Sequence, residues 1–296
     1  MDDYVQPFLL DDLDIRGAIV RIGPVWQQLL AGRNYPAAVA RLLGEMSATT
    51  LLLGSNLKQP GRLTVQLRGN GPVTLLVIDC NERLHIRGMA HCAAQVDDGP
   101  APELLGHGQL LLSLDLPSMR EPYQSIVPLD GNSIAEIFEH YLKQSEQLPA
   151  RLFLAASPEG AAGLFLQKLP DADQRDPDGW SRIEALASTV KAEELIALSA
   201  EALLTRLFHE ETVRVFAAQA VIHDCPEDWD KVRSMLLSLG RDEVDAALHE
   251  HGEIVIKDDI CNREYRFDAR AIDELFRAAP ADTDVNVIGN NSPTLH

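Results

Sequence analysis

The sequence predicts an α+β fold. It comprises an N-terminal core of antiparallel sheets and helices, a mainly helical linker region and a small C-terminal domain built like a zinc knuckle. Three observations carry this. Short β-patterned runs follow one another between residues 61 and 129, two of them joined through Gly69-Asn70-Gly71-Pro72. Apolar stripes at helical spacing run through 39–46 and 134–142. Near the C-terminus stand two short half-motifs, His223-Asp224-Cys225 and Asp258-Asp259-Ile260-Cys261, separated by 32 residues.

Taken in order, residues 16 to 22 read as a first strand, and Pro24 suits the first turn of a helix over 26–31. Tyr35-Pro36 opens a longer helix whose Val39, Leu42, Leu43 and Met46 turn one stripe to a core. Leu63 to Leu67, Val73 to Ile78 and Arg83 to Cys92 form an antiparallel meander, and Gln109 to Leu116 and Tyr123 to Leu129 are two further strands. Ser133 with Glu136 spells a capping box, followed by the buried stripe Ile134, Ile137, Phe138, Tyr141 and Leu142. Arg151 to Ala155 and Ala161 to Leu169 return to strand pattern and close the core, residues 1–170.

The polar stretch Pro170 to Gly179 marks a boundary. Beyond it the linker region, 171–220, carries Ile183, Leu186, Val190, Leu195, Leu198, Leu203, Leu204, Leu207 and Phe208 on helices too apolar to stand free in water, so they must cover something. The last domain, 221–278, is expected to hold a helix after Pro226 closed by Gly240, a second helix ending at Gly252, and two strands flanking the Asp258 to Cys261 turn. Trp229, Met235 and Leu236 are its expected core. Residues 279–296 read as a disordered tail.

Composition narrows the function. With 26 Lys plus Arg against 45 Asp plus Glu, a net charge of −19 opposes binding to nucleic acid or to an anionic membrane. No apolar run approaches a membrane span and the acidic N-terminus has no signal-peptide form, so a cytoplasmic location is the expectation. No GxSxG elbow, phosphate loop, GxGxxG or HExxH is found. Cys80 and Cys92 fall at opposite ends of a predicted hairpin, roughly 30 Å apart at about 3.3 Å per residue, and read as small apolar side chains.

The half-motifs carry the chemistry. Tetrahedral zinc takes four nitrogen, sulfur or oxygen donors, and a short knuckle presents two. His223, Cys225, Asp258 and Cys261 are the candidate ligands, with Asp224, Asp259, His249 and His251 as substitutes. Against this stands a decayed site in which Asp258 and Asp259 form a solvated turn. A zinc hydrolase would need an open metal position and a separate base, which the sequence does not show near either knuckle.

Several stretches together resemble the bacterial redox-regulated chaperones of the 33-kilodalton heat shock protein family: YPAAVARLLGEMSATTLLLGSNLK (35–58), GRLTVQLRGNGPVTLLVI (61–78), SEQLPARLFL (145–154), HEETVRVF (209–216), LGRDEVDAALHEHGEI (239–254) and CNREYRFDARAI (261–272). The resemblance implies an ATP-independent holdase with a core domain, a helical linker lying over it and a C-terminal zinc and redox switch. Its partners are unfolding client proteins, and homodimers accompany activation. In the family four cysteines, C-x-C and C-x-x-C, hold zinc when reduced and form one disulfide within each pair when oxidised. Here His223 and Asp258 stand at the first position of each pair, so neither of those disulfides can form and Cys225 and Cys261 are the remaining redox residues. A bond between Cys225 and Cys261 is left open, because two thiolates on one metal are near neighbours, and peroxide gating is expected to be weakened or absent. The competing reading is a regulatory binding protein that keeps the fold without holdase activity.

Overall fold

A computed structural model describes residues 3–57, 59–145 and 147–278. It has two compact units, Met1–Cys225 and Pro226–His296. The first opens with strands β1 (Tyr4–Leu10) and β2 (Ile15–Ile22), then helices α1 (Pro24–Leu30) and α2 (Ala37–Gly54). The meander follows as β3 (Arg62–Gly69), β4 (Val73–Asn81) and β5 (His85–Cys92). A short α3 (Ala101–Leu105) leads to β6 (Gly108–Asp115) and β7 (Tyr123–Pro128), and α4 (Ile134–Ser145) crosses to β8 (Ala150–Ser157) and β9 (Gly160–Lys168). Four helices come next, α5 (Ala172–Arg175), α6 (Gly179–Ala187), α7 (Ala192–Ala197) and α8 (Ala200–Phe208). The unit ends in three short strands, β10 (Val213–Val215), β11 (Gln219–Ala220) and β12 (Ile222–His223).

Two sheets organise this unit. One runs β10-β1-β2-β9-β8, with β11 also on β1, and is antiparallel throughout; the other runs β12-β5-β4-β3-β6-β7. Within the second sheet the β3-β4-β5 meander is as expected, while β6 returns to the open side of β3.

Helix α2 lies between the sheets, and this changes its character. The sequence pattern predicts one buried stripe, yet Ser47, Thr49 and Thr50 are also fully buried. A helix packed between two sheets has no solvent face. The three hydroxyls bond the carbonyls of Leu43, Glu45 and Met46 at 2.7, 2.9 and 2.8 Å, so burial leaves them satisfied. Gly44 permits the close approach, since a Cβ there would stand 2.6 Å from that of Ala156 on β8.

The capping box at α4 forms by half. Ser133 Oγ accepts from the Glu136 amide at 3.2 Å, but the Glu136 carboxylate reaches past Ser133 to the Asn132 amide at 2.7 Å. The acidic opening of the chain forms an unexpected strand, β1, whose buried Phe8 and Leu10 face the linker helices while Val5 joins the core on the α2 side. The expected boundary at 170–179 lies inside the first unit. Ala172 is buried and Arg175 donates to the Asp11 carbonyl at 3.1 Å.

Helices α6 to α8 do cover something. Their Ile183, Leu195, Leu203, Leu204, Leu207 and Phe208 pack on the outer face of the first sheet, against Phe8, Leu10, Ile15, Ile19, Leu164 and Leu166. The unit is therefore layered as linker helices, sheet, α2, sheet.

The second unit comprises α9 (Trp229–Leu239), α10 (Arg241–His251), β13 (Ile254–Asp258), β14 (Arg263–Phe267) and α11 (Ala269–Ala278). Asp228 caps α9 by accepting from the Lys231 amide at 3.0 Å, and Gly252 ends α10 in a left-handed conformation, φ 79°. The core differs from expectation. Leu236 is buried, but Met235 is 40% exposed and Trp229 lies at the rim, its ring edge-on to Tyr265 with centroids 4.9 Å apart. The interior is Val232, Leu236, Val244, Tyr265, Phe267 and Ile272. Helix α11, absent from the sequence reading, supplies Ile272. The expected tail, 279–296, lies outside the described residues.

Candidate functional site

The first knuckle is anchored by main-chain pairing. Strand β12 runs parallel to β5, placing His223 opposite Ile86, and the Asp224 amide donates to the Ile86 carbonyl at 3.1 Å. The side chain of Asp224, a substitute ligand on the sequence reading, is instead 2.9 Å from His85 Nδ1. His223 is half-buried. Desolvation, and next the nearby Arg33 cation, hold its imidazole below the usual histidine range, while Asp224 opposes them. It therefore stays neutral at physiological pH, the protonation state of a nitrogen ligand.

The second knuckle is a turn made by Asp258. Its Oδ1 accepts from the amides of Ile260 and Cys261 at 3.1 and 3.2 Å, and Asn262 closes the turn at φ 49°. The carboxylate of Asp258 is thus part of the architecture of this turn. Asp259 pairs with Lys257 at 3.5 Å, and His249 and His251 are exposed on the last turn of α10.

The four cysteines divide in two. Cys80 and Cys92 are free thiols; burial, then Asp79 and Glu82, push the Cys80 thiol up to about 12, and desolvation raises Cys92 as well. Burial thus favours the protonated thiol at both positions. In the strand register Cys80 faces Ile86 and Cys92 faces Val73, at opposite ends of the hairpin but six strand residues apart, about 20 Å at about 3.3 Å per residue, where the sequence predicts roughly 30 Å. Cys225 and Cys261 are disulfide-bonded.

That redox state bears on the zinc expectation. A disulfide sulfur has no thiolate charge and does not ligate zinc, so the bond and the metal belong to different states of these residues. Among the described residues, no three or more His, Cys, Asp or Glu side chains converge in a metal-binding arrangement. The donor set of a neutral imidazole, a carboxylate and two thiolates fits zinc only after reduction.

The six-residue cluster of the second unit joins its helices and hairpin. Tyr265→Ala is expected to cost about 3–5 kcal/mol and to unfold this unit, since the ring is fully buried and its hydroxyl accepts from the Asp228 amide at 3.0 Å. Amide exchange over 229–276 reads the loss. Restoration by added zinc would show that metal, rather than this cluster, carries the fold.

The apolar outer face of the first sheet is covered by helices α6 to α8 and Cys225 and Cys261 are oxidised, and relatives of this chain place it in the class of molecular chaperones. A family model described as "Hsp33 protein" matches residues 3–268. The 33 kDa chaperonin of Chromobacterium violaceum is 42% identical over 93% of this chain and 94% of its own length. That of Methylobacillus flagellatus is 39% identical over 98% of each. The crystal structure of the 33 kDa chaperonin from Thermotoga maritima superposes with a TM-score of 0.80, covering 94% of this chain and 98% of that one at 21% identity, a likeness of fold. The chain belongs to the Hsp33 protein family. No described helix is long and apolar enough to cross a membrane.

Proposed function

We propose that this protein is an ATP-independent holdase that captures unfolding proteins on the sheet face now lying under α6, α7 and α8. The packing of Ile183, Leu203, Leu207 and Phe208 on Phe8, Ile15 and Leu164 carries this reading. Such surface is saturated while the helices sit on it and becomes a broad apolar platform when they leave. Fixing the backbone costs about 1–2 kcal/mol per residue, so a cover of about 30 residues is held by a small difference between burial and entropy. The working parts on this reading are the core 1–170, the linker 171–220 and a switch-like domain 221–278, with unfolding proteins as partners and self-association into dimers after release.

Control rests on Cys225 and Cys261. The reaction consistent with one thiol per knuckle is a single bond between them: two thiols give two protons and two electrons to peroxide, which leaves as two waters. In the reduced chain His223, Cys225, Asp258 and Cys261 would hold zinc, which when bound supplies folding energy to the knuckles. With two thiolates replaced by imidazole and carboxylate, the reduced state is held more weakly than a four-cysteine site would hold it.

The test is light scattering of a thermally unfolding client mixed with this protein, without ATP, in reducing and in peroxide-treated buffer. Suppressed aggregation already in reducing buffer is expected, with little further gain from peroxide. Cys225→Ser is expected to abolish whatever difference remains. A large peroxide response surviving in Cys225→Ser would remove these two residues from the control, and failure to suppress in any state would favour a regulator that has kept only the fold.

A further inference from the structure

Tyr4 and Arg21 are direct cross-strand neighbours on β1 and β2, on the face covered by the linker helices. Arg21 is 7% exposed, yet no carboxylate among the described residues lies within ion-pair reach of it. Its guanidinium reaches up from the sheet instead. Nη2 donates to the Ile196 carbonyl at 2.5 Å and to the Ala197 carbonyl at 3.4 Å, the last two residues of α7. The Tyr4 hydroxyl accepts from the amide of Ala200, the first residue of α8, at 3.1 Å. Between these points the chain turns through Leu198, in extended conformation at the end of α7, and Ser199, which caps α8 by accepting from the Ala202 amide at 3.2 Å.

We propose that Tyr4 and Arg21 form a main-chain clasp on the joint between α7 and α8, and that this clasp sets how readily the linker lifts from the sheet. One residue supplies donors to two carbonyls that end a helix, and the other an acceptor to an amide that begins the next. Both groups are otherwise orphaned at helix ends. A buried cation matched only by carbonyls is held in place by the segment it holds, because losing the joint leaves it among apolar side chains until water enters. The clasp reads main chain only. Its strength is therefore independent of the side chains at 196–200, unlike the apolar packing on either side of it.

The inference rests on the covered-face reading for its consequence in activity, but its structural part stands separately, so the experiment reads both. Amide exchange of the full chain is followed in reducing buffer over 192–205, with α2 and β9 as internal references. Arg21→Met keeps the apolar stem and removes the donors; about tenfold faster exchange over 192–205 is expected, with the references unchanged. Tyr4→Phe, which removes one hydroxyl and no volume, is expected to give a smaller acceleration in the same residues. In the double variant the two effects should combine to less than their product, because a joint released by one partner no longer feels the other. Unchanged exchange in Tyr4→Phe and Arg21→Met, or acceleration spread equally over α2 and β9, would overturn the clasp. Should Arg21→Met not fold, Tyr4→Phe alone decides. If exchange accelerates over 192–205 without any gain in client capture, the clasp stands and the holdase role of the covered face falls.

Discussion

Phe208→Ala is expected to strengthen holdase activity in reducing buffer, by loosening α8 from the sheet. Phe208 is 1% exposed, and its ring packs against Phe8 with centroids 6.3 Å apart. Removing a buried phenyl group costs about 3–5 kcal/mol, through lost transfer energy and the cavity left behind. The loss falls on the contact between linker and sheet, because the side chain's neighbours in that cluster belong to these layers, while the α2 layer packs on the sheet's other face. Client aggregation in reducing buffer should then be suppressed at lower protein concentration than by the parent chain. Amide exchange over 179–208 should rise and that of α2 should not. A variant that melts as a whole, with α2 exchanging alongside α8 and no gain in client capture, would mean that the helices are an inseparable part of the core and not a cover.

Glu45→Gln is expected to stabilise the first unit at neutral pH. Glu45 lies on α2 between the sheets, with its side chain 13% exposed and 3.7 Å from the Arg41 guanidinium. Burial raises its carboxyl from 4.5 to about 7, and Arg41 offsets only part of that. The sign follows from proton counting. Between pH 4.5 and about 7 the folded chain binds a proton at this site that the unfolded chain does not, so stability falls as pH rises through that window and stays low above it. A shift of this size corresponds to at most about 3 kcal/mol. Gln removes the titration but also the attraction to Arg41, so a net gain of about 2 kcal/mol at pH 8 and little change at pH 4.5 is expected. Denaturant melts at the two pH values measure it. Equal effects at both would show that the carboxylate is already solvated in the folded protein.

Much of the architecture was legible because the relevant signals are local. The meander, the α4 helix and the helical linker each announce themselves within a dozen residues, through alternation, a capping serine or an i, i+3, i+4 stripe. The same locality explains the failures. Strand β1 is short, its partners lie in sequence at β2 and, some 200 residues away, at β10 and β11, and it is buried on both faces, Val5 on one and Phe8 and Leu10 on the other, so no period-2 pattern stands out between the flanking aspartates. Met235 looked like core in a helical stripe, but the hairpin and α11 pack around Val232 and Leu236, leaving Met235 on the outer side. Of the candidate site, the hairpin pattern made legible that Cys80 and Cys92 do not pair with each other, whereas the redox role of Cys225 and Cys261, which are bonded, came from the family resemblance. The use of Asp258 as a turn cap and of Asp224 as a partner of His85 was not, since either carboxylate could equally have faced a metal.

By itself the sequence determined that the chain has an α+β core, apolar linker helices that need a surface to cover, and one thiol in each knuckle instead of two. These depend on residue type and spacing, which no fold can alter. Only the tertiary structure decided which surface the helices cover, that α2 is enclosed between two sheets with Glu45 inside, and that Tyr4 and Arg21 meet beneath the joint of α7 and α8. Those facts arise where strands remote in sequence become neighbours, and a buried charge or an unmatched carbonyl acquires its energy only from what the fold sets beside it.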